Sequence, residues 1–178
     1  MVTKFFYAAF RPILWGAVAT AFAACATPNA PTLEIRSPFD AQAAHALLVD
    51  GANSIKGNAF MRQQGGGVVT CAGQIVYLVP ATAYAAERFQ ALYGNVDRGA
   101  NASRVNCKFI PDPSEYYNLS RSTRCDSQGN FLFENVANGE FFATTVISWQ
   151  VGNSLQGGHL MHRIAVKSGK TISLVMTP

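Results

Sequence analysis

Residues 126–176 are patterned in twos. Phe131 and Phe133 fall on one side of an extended segment, and Phe141, Ala143, Thr145, Ile147 and Trp149 fall on one side of the next. Ile164 and Val166 repeat the pattern before Ser168–Gly169–Lys170, and Ile172, Leu174 and Met176 repeat it after. Side chains alternate across a strand, whereas one helical face needs apolar residues three and four apart. "DSQGN" and "ANG" punctuate these segments with residues that turn a chain at little cost. They read as successive antiparallel strands, and short alternating strands with frequent turns predict an all-β chain folded as an antiparallel sandwich.

Upstream the signals are mixed. Residues 55–62 read as a strand, and "QQGGG" at 63–67 breaks it with residues that tolerate positive φ. "VVTCAGQIVYLVPA" reads as a strand pair bent at Ala72–Gly73 and ending at Pro80, apolar enough for burial on both faces. "SPFDAQAAHALL" predicts a short helix, with Ser37 as N-cap, Pro38 at the first helical position, Asp40 in the first turn and Gly51 past the end. Over 82–93, Tyr84, Arg88, Phe89 and Leu92 share one helical face and Gly94 stops it, which predicts an inserted surface helix. The stretch 95–117 has no clear period and contains the "PDP" turn; irregular segments of that length are functional or disordered.

The N-terminus is an address. Lys4 and Arg11 precede "ILWGAVATAFAA", an apolar run too short to span a bilayer comfortably, and small residues follow. "FAAC" at 22–25 resembles the bacterial lipobox, in which the cysteine is acylated and becomes the mature N-terminus. That resemblance implies a signal peptide at 1–24, palmitate and related acyl chains on Cys25, and a membrane partner reached through this anchor. "ATPNAPT" fits a flexible tether over 25–36. Ala26 stands where aspartate marks inner-membrane retention, so the implied place is the cell envelope, at the outer membrane facing the periplasm. Several acyl chains on one cysteine hold firmly.

Three cysteines remain in an oxidising compartment: Cys71, Cys107 and Cys125. They allow one disulfide and one free thiol. Cys107 and Cys125 bracket a segment that would gain from a staple, which favours that pair. Cys71 with Cys125 is the rival, since both sit beside turn signals at strand ends.

Other chemistry finds little support. Without Lys4 and Arg11, twelve basic residues against ten acids leave a formal +2, scattered singly, which argues against nucleic acid. His159 and His162 are three apart, which places them on opposite faces of a strand and makes them a poor metal pair. His45 is alone on the early helix. No Gly-x-Ser-x-Gly elbow occurs. Asp126 reads as a turn residue bonding its own backbone, and nothing asks for a cofactor. The aromatics Phe131, Phe133, Phe141, Phe142 and Trp149 read as core. Tyr116 and Tyr117 are the binding candidates, because two adjacent phenols in an extended loop cannot both point inward.

"CDSQGNFLFENVANGEFFATTVISW" resembles the carboxypeptidase regulatory-like, or CnaB-like, pattern: an Asp-x-x-Gly turn, an aromatic strand, a Val-x-x-Gly break and a second aromatic strand. "AGQIVYLVPA" resembles that family's second strand, with "IKGNAFMRQ" as the first and "KTISLVM" as the last. The resemblance implies a transthyretin-like sandwich of about seven strands over 37–178, with a short N-terminal helix and a helix-plus-loop insertion at about 83–117. It brings no activity. Lys56 has no asparagine on the last strand with which to form an isopeptide bond, and the Tyr-Arg-Gly-Ser tail of the related hydrolases is absent. The expectation is a non-catalytic envelope lipoprotein whose sandwich is a structural or protein- or glycan-binding module; the alternative is a periplasmic hydrolase.

Overall fold

A computed structural model describes residues 30–101 and 107–178. The signal segment, Cys25 and residues 25–29 of the expected tether lie outside the described residues. In chain order the elements are β1 (Thr32–Glu34), α1 (Ala41–Leu48), β2 (Asp50–Arg62), β3 (Val68–Thr70), β4 (Ile75–Pro80), α2 (Ala83–Tyr93), β5 (Arg98–Asn101) and β6 (Lys108–Ile110). A 3-10 turn at Ser114–Asn118 precedes β7 (Arg121–Arg124), β8 (Asn130–Val136), β9 (Gly139–Val151), β10 (Ser154–Val166) and β11 (Thr171–Met176).

The fold is the expected all-β sandwich. One sheet runs β5-β10-β9-β4-β7; the other is built on β2, which takes β11 in parallel and β8 and β3 antiparallel. Between them Ile55, Val76, Leu78, Phe141 and Ile147 are fully buried, with Leu160 and Met176 almost so. Each buried side chain of this size contributes roughly 1.5–3 kcal/mol. The strands outnumber the expected seven because β5 extends one sheet edge and β1 pairs with β6 in a separate parallel ribbon.

Consecutive strands do not pair where the sequence suggests they do. β8 pairs with β2, while β9 pairs with β10 and β4, so the break at 137–138 carries the chain from one sheet to the other. The turn 167–170 does the same between β10 and β11. Local alternation fixes which face is buried but not which strand lies alongside. A buried amide holds both crossings: Asn53 Nδ2 donates to the Val136 carbonyl at 2.8 Å and to Asn138 Oδ1 at 3.1 Å, and its Oδ1 accepts from Lys170 N–H at 3.2 Å.

Three other expectations shift. The first helix begins at Ala41 with Asp40, not Ser37, as its cap, accepting from Ala43 N–H at 2.8 Å. Ser37 N–H is already bound to Glu87 on α2, at 2.7 Å, which keeps it out of the helix. Residues 32–34 of the expected tether form β1, and Ile35 is buried, so the folded part starts before residue 37. Trp149 lies on the inward face of β9 but is only half-buried, since β9 pairs with β4 only as far as Thr145 and then outruns it. Gly57 carries no turn; the Phe131 ring occupies the space a side chain would need, 2.0 Å from an added Cβ.

The disulfide joins Cys71 to Cys125, with Cα atoms 5.8 Å apart, and Cys107 is a half-buried free thiol. The favoured Cys107–Cys125 pairing is thereby corrected. β6 carries Cys107 away to pair with β1, whereas Gly73 N–H donates to the Cys125 carbonyl and Cys125 N–H to the Gln74 carbonyl, bringing the turn after β3 onto the end of β7. The crosslink ties one sheet to the other across 54 residues. Cys71→Ser and Cys125→Ser are therefore expected to lower stability by about 2–5 kcal/mol in urea unfolding, while Cys107→Ser leaves the midpoint unchanged. A large loss from Cys107→Ser alone would refute this pairing.

Candidate functional site

The site arises where a helix stops covering a sheet. On the outer face of the five-stranded sheet, Val79 and Phe142 are cross-strand partners, as are Tyr77 and Thr144, while Thr144 faces Met161 and Val146 faces His159. α2 forms as the sequence predicts, with the Thr82 hydroxyl accepting from Ala85 N–H at 3.2 Å and Gly94 in the left-handed region closing it. Its Ala85 and Phe89 pack on Val79, Phe142 and Met161, with the Phe89 and Phe142 rings 4.5 Å apart. Eleven residues make a helix only about 16 Å long. At its last turn the Tyr93 hydroxyl meets the Thr144 hydroxyl at 3.3 Å, and beyond that point Tyr77, Thr144, Val146 and His159 are uncovered.

The second wall comes from the segment 107–120, fixed by one cation. Arg88 is almost wholly buried; its guanidinium carbon lies 3.7 Å from the Phe109 ring centre, 4.5 Å from that of Tyr116, 5.3 Å from Tyr117 and 5.6 Å from Tyr84. One terminal nitrogen donates to Asp112 at 2.6 Å and to the Tyr84 hydroxyl at 3.0 Å, and the other to the Tyr117 hydroxyl at 3.0 Å. Tyr84 donates onward to the Pro111 carbonyl at 2.6 Å, and Tyr117 to Asp112. Burial by itself would weaken the guanidinium's hold on its proton, but the bonds to Asp112, Tyr117 and Tyr84 outweigh it and leave the pKa raised.

The result is an aromatic cleft of about 450 Å³. Tyr77, Phe89, Tyr93, Tyr116 and Tyr117 supply its rings, and Thr144, Ser120 and His159 its polar points. A smaller hollow of about 270 Å³ continues it along the sheet toward Gln74 and Val146. Burial pushes the Tyr116 phenol up to about 12, with Arg88 opposing, and raises that of Tyr93. Burial likewise lowers the His159 pKa, and that of His162, where the neighbouring Arg98 adds to the effect. No carboxylate lines either hollow among the described residues.

Of the expected site residues, Tyr116 and Tyr117 both reach this cleft but play different parts. Tyr116 is half-buried, edge-on to Tyr84 and Phe39; Tyr117 is 58% exposed. His159 and His162 do fall on opposite faces of β10, His159 with Met161 and His162 with Leu160 and Ile164, and no metal-holding cluster forms among the described residues. Asp126 accepts from the backbone of Gln128 and Asn130, each at 2.8 Å, and these bonds, that from Asn130 first, lower its pKa. His45 lies exposed, 3.7 Å from Glu115. Tyr77, Tyr93, Thr144 and His159 escape sequence reading; the only signal was that Tyr77 and Thr144 alternate with buried neighbours on strands whose outer face could not be known to lie bare.

The sequence matches no protein-family model and no curated protein. The fold is similar to a crystal structure from Pseudomonas aeruginosa, of a protein provisionally named as carbohydrate-binding: TM-score 0.65 at 20% identity, covering 80% of this chain and 99% of that one. At that identity the likeness is one of fold.

Two outcomes follow from this geometry. Arg88→Ala is expected to cost roughly 2–4 kcal/mol in unfolding free energy, because Asp112 and Tyr117 lose their partner, and Arg88→Lys should recover little, since an ammonium cannot bridge three acceptors in one plane. The second concerns pH. His159 and His162 hold their protons less firmly folded than unfolded, so the unfolded chain takes up more protons as pH falls below about 6.5. Their contribution is full above that value and is lost as pH drops toward the depressed folded values. Melting temperature should therefore decline between about pH 7 and pH 5, and less steeply in His159→Gln/His162→Gln; identical slopes would contradict the assignment.

Proposed function

We propose that this chain is a non-catalytic, glycan-binding module of the bacterial cell envelope, carried on an acyl anchor at Cys25. The observation that carries the glycan reading is the convergence of Tyr77, Tyr93, Tyr116 and Tyr117 with Thr144 and His159 on one open cleft. A sugar ring has apolar C–H faces and a rim of hydroxyls. Rigid aromatic planes with a few placed polar groups suit both parts at small entropic cost. The fold likeness to a provisionally named carbohydrate-binding protein points the same way.

Binding rather than hydrolysis is favoured because glycoside cleavage ordinarily uses two carboxyl groups flanking the bond, and the groups lining this cleft are phenols, hydroxyls, an imidazole and an already paired guanidinium. The envelope address is supported by the signal-like N-terminus, the lipobox-like "FAAC" and the disulfide, which suits an oxidising compartment. Among the described residues no helix is long and apolar enough to cross a membrane, so attachment in this reading falls to the lipid. The CnaB-like resemblance is retained here as part of the proposal.

The test separates framework from contact. Tyr77→Ala should weaken glycan binding by about tenfold or more in calorimetry while stability changes by no more than about 1 kcal/mol, as for exposed positions. Tyr117→Ala should weaken binding as much but also cost roughly 1–3 kcal/mol, because the buried Arg88 loses an acceptor. Tyr116→Ala should lose both, with about 2 kcal/mol of stability gone. Wild-type affinity in Tyr77→Ala would remove the cleft from the binding site. Labelled palmitate should enter the wild type and be absent from Cys25→Ser; equal labelling would sink the anchor.

A further inference from the structure

We infer that the cleft takes an internal stretch of an uncharged glycan chain, several sugars long, rather than a single sugar or an acidic one; this rests on the glycan-binding reading above. Two observations carry it. The first is continuity: the two hollows share Tyr77, Thr144 and His159 as a common wall, so they form one trough running from Tyr117 at one end to Gln74 and Val146 at the other. Sites for small ligands bury most of the ligand surface. Here Tyr117 and Tyr77 stand 58% and 44% exposed along the trough, and its floor is a sheet face open on the side α2 leaves bare. Across the strands, from β4 over β9 to β10, that floor is about 10 Å wide at roughly 4.8 Å per strand, and along the strand direction the stretch from Tyr77 to Gln74 adds a length of about 10 Å at roughly 3.3 Å per residue. A chain can lie along it and leave at both ends.

The second observation is the charge balance. Among the described lining residues Arg88 is the only permanent charge, and it is committed to Asp112 at 2.6 Å. His159, the other group able to carry charge near neutral pH, is exposed, and partial desolvation against the sheet shifts it toward its neutral form. A sugar carboxylate entering the trough would lose hydration and find no uncommitted counter-ion among the described lining residues, which is costly. Hydroxyls lose nothing comparable, since Tyr77, Thr144, His159 and Gln74 offer both donors and acceptors.

The test is calorimetry of the full chain in detergent against two ladders, neutral oligosaccharides and polyuronates, each from the single sugar to the hexasaccharide. The neutral ladder should tighten by about tenfold or more between the single sugar and the tetrasaccharide. Val146→Trp, which fills the far hollow, should remove that gain, so that the tetrasaccharide binds no more tightly than the single sugar; Val146→Phe provides the same block should Val146→Trp fold poorly. Affinity independent of length, or preference for the polyuronates, overturns this inference and leaves the glycan reading standing. Failure of every member of both ladders to bind overturns both.

Discussion

One guanidinium held among four aromatic rings makes a wall out of two segments that have no reason of their own to meet. The stretch 107–120 buries Phe109 and Leu119, but three of its first seven residues are prolines or the aspartate between them, and it has no regular apolar period. Arg88 supplies what is missing. Its face stacks on Phe109 and Tyr116, and its edge takes Asp112 and Tyr117, so a single side chain sets the height of the 3-10 turn above α2. A buried charge of this kind is tolerated only when its donors find acceptors, and here one of the three acceptors, Tyr117, faces the cleft. Tyr116 and Tyr117 are positioned by the same contact, one as packing and one as surface.

α2 can carry this burden because it is itself tied down at both ends. Phe89 and Ala85 fix it to the sheet, and Glu87, on the helix's far side, accepts from the backbone of Arg36 and Ser37 at 2.9 and 2.7 Å. Those bonds, the one from Arg36 first, hold the Glu87 carboxyl below its usual range and draw the N-terminal segment over the helix, where β1 adds to β6. The insertion is thus closed on itself: helix to sheet, N-terminal strand to helix, irregular segment to helix and strand. Nothing in that chain of contacts touches the inner core, so the cleft can vary while the sandwich does not.

The sandwich was largely legible in the sequence, and the reason is periodicity. Phe131, Phe133, Phe141, Ala143 and Ile147 alternate because one face of each strand is buried, and all five are buried. What alternation does not encode is the partner across the ladder. β8 and β9 look like a hairpin, yet they sit in opposite sheets, and the residue that organises the crossing, Asn53, is a buried polar residue in a strand more than eighty positions away. The disulfide shares this difficulty: Cys107 and Cys125 are near in sequence, but strand pairing separates them. The site was legible only in part. Tyr116 and Tyr117 stood out because a tyrosine pair in an aperiodic segment has no packing pattern to explain it. Tyr77 and Thr144 did not, since an outward residue on a strand carries no mark showing whether a helix covers it.

That last point also explains why the cleft lies where it does. A sheet in a sandwich has an outer face that is normally polar and wet. This one is apolar where α2 covers it, at Val79, Phe142 and Met161, and changes character alongside, at Tyr77, Thr144 and His159. These residues combine an aromatic or methyl body with a polar tip. Such side chains bear exposure without unfavourable hydration and still offer apolar surface to an arriving ligand. The row is therefore stable bare and also able to bind, and the length of one helix, ended by Gly94, decides how much of the face it occupies.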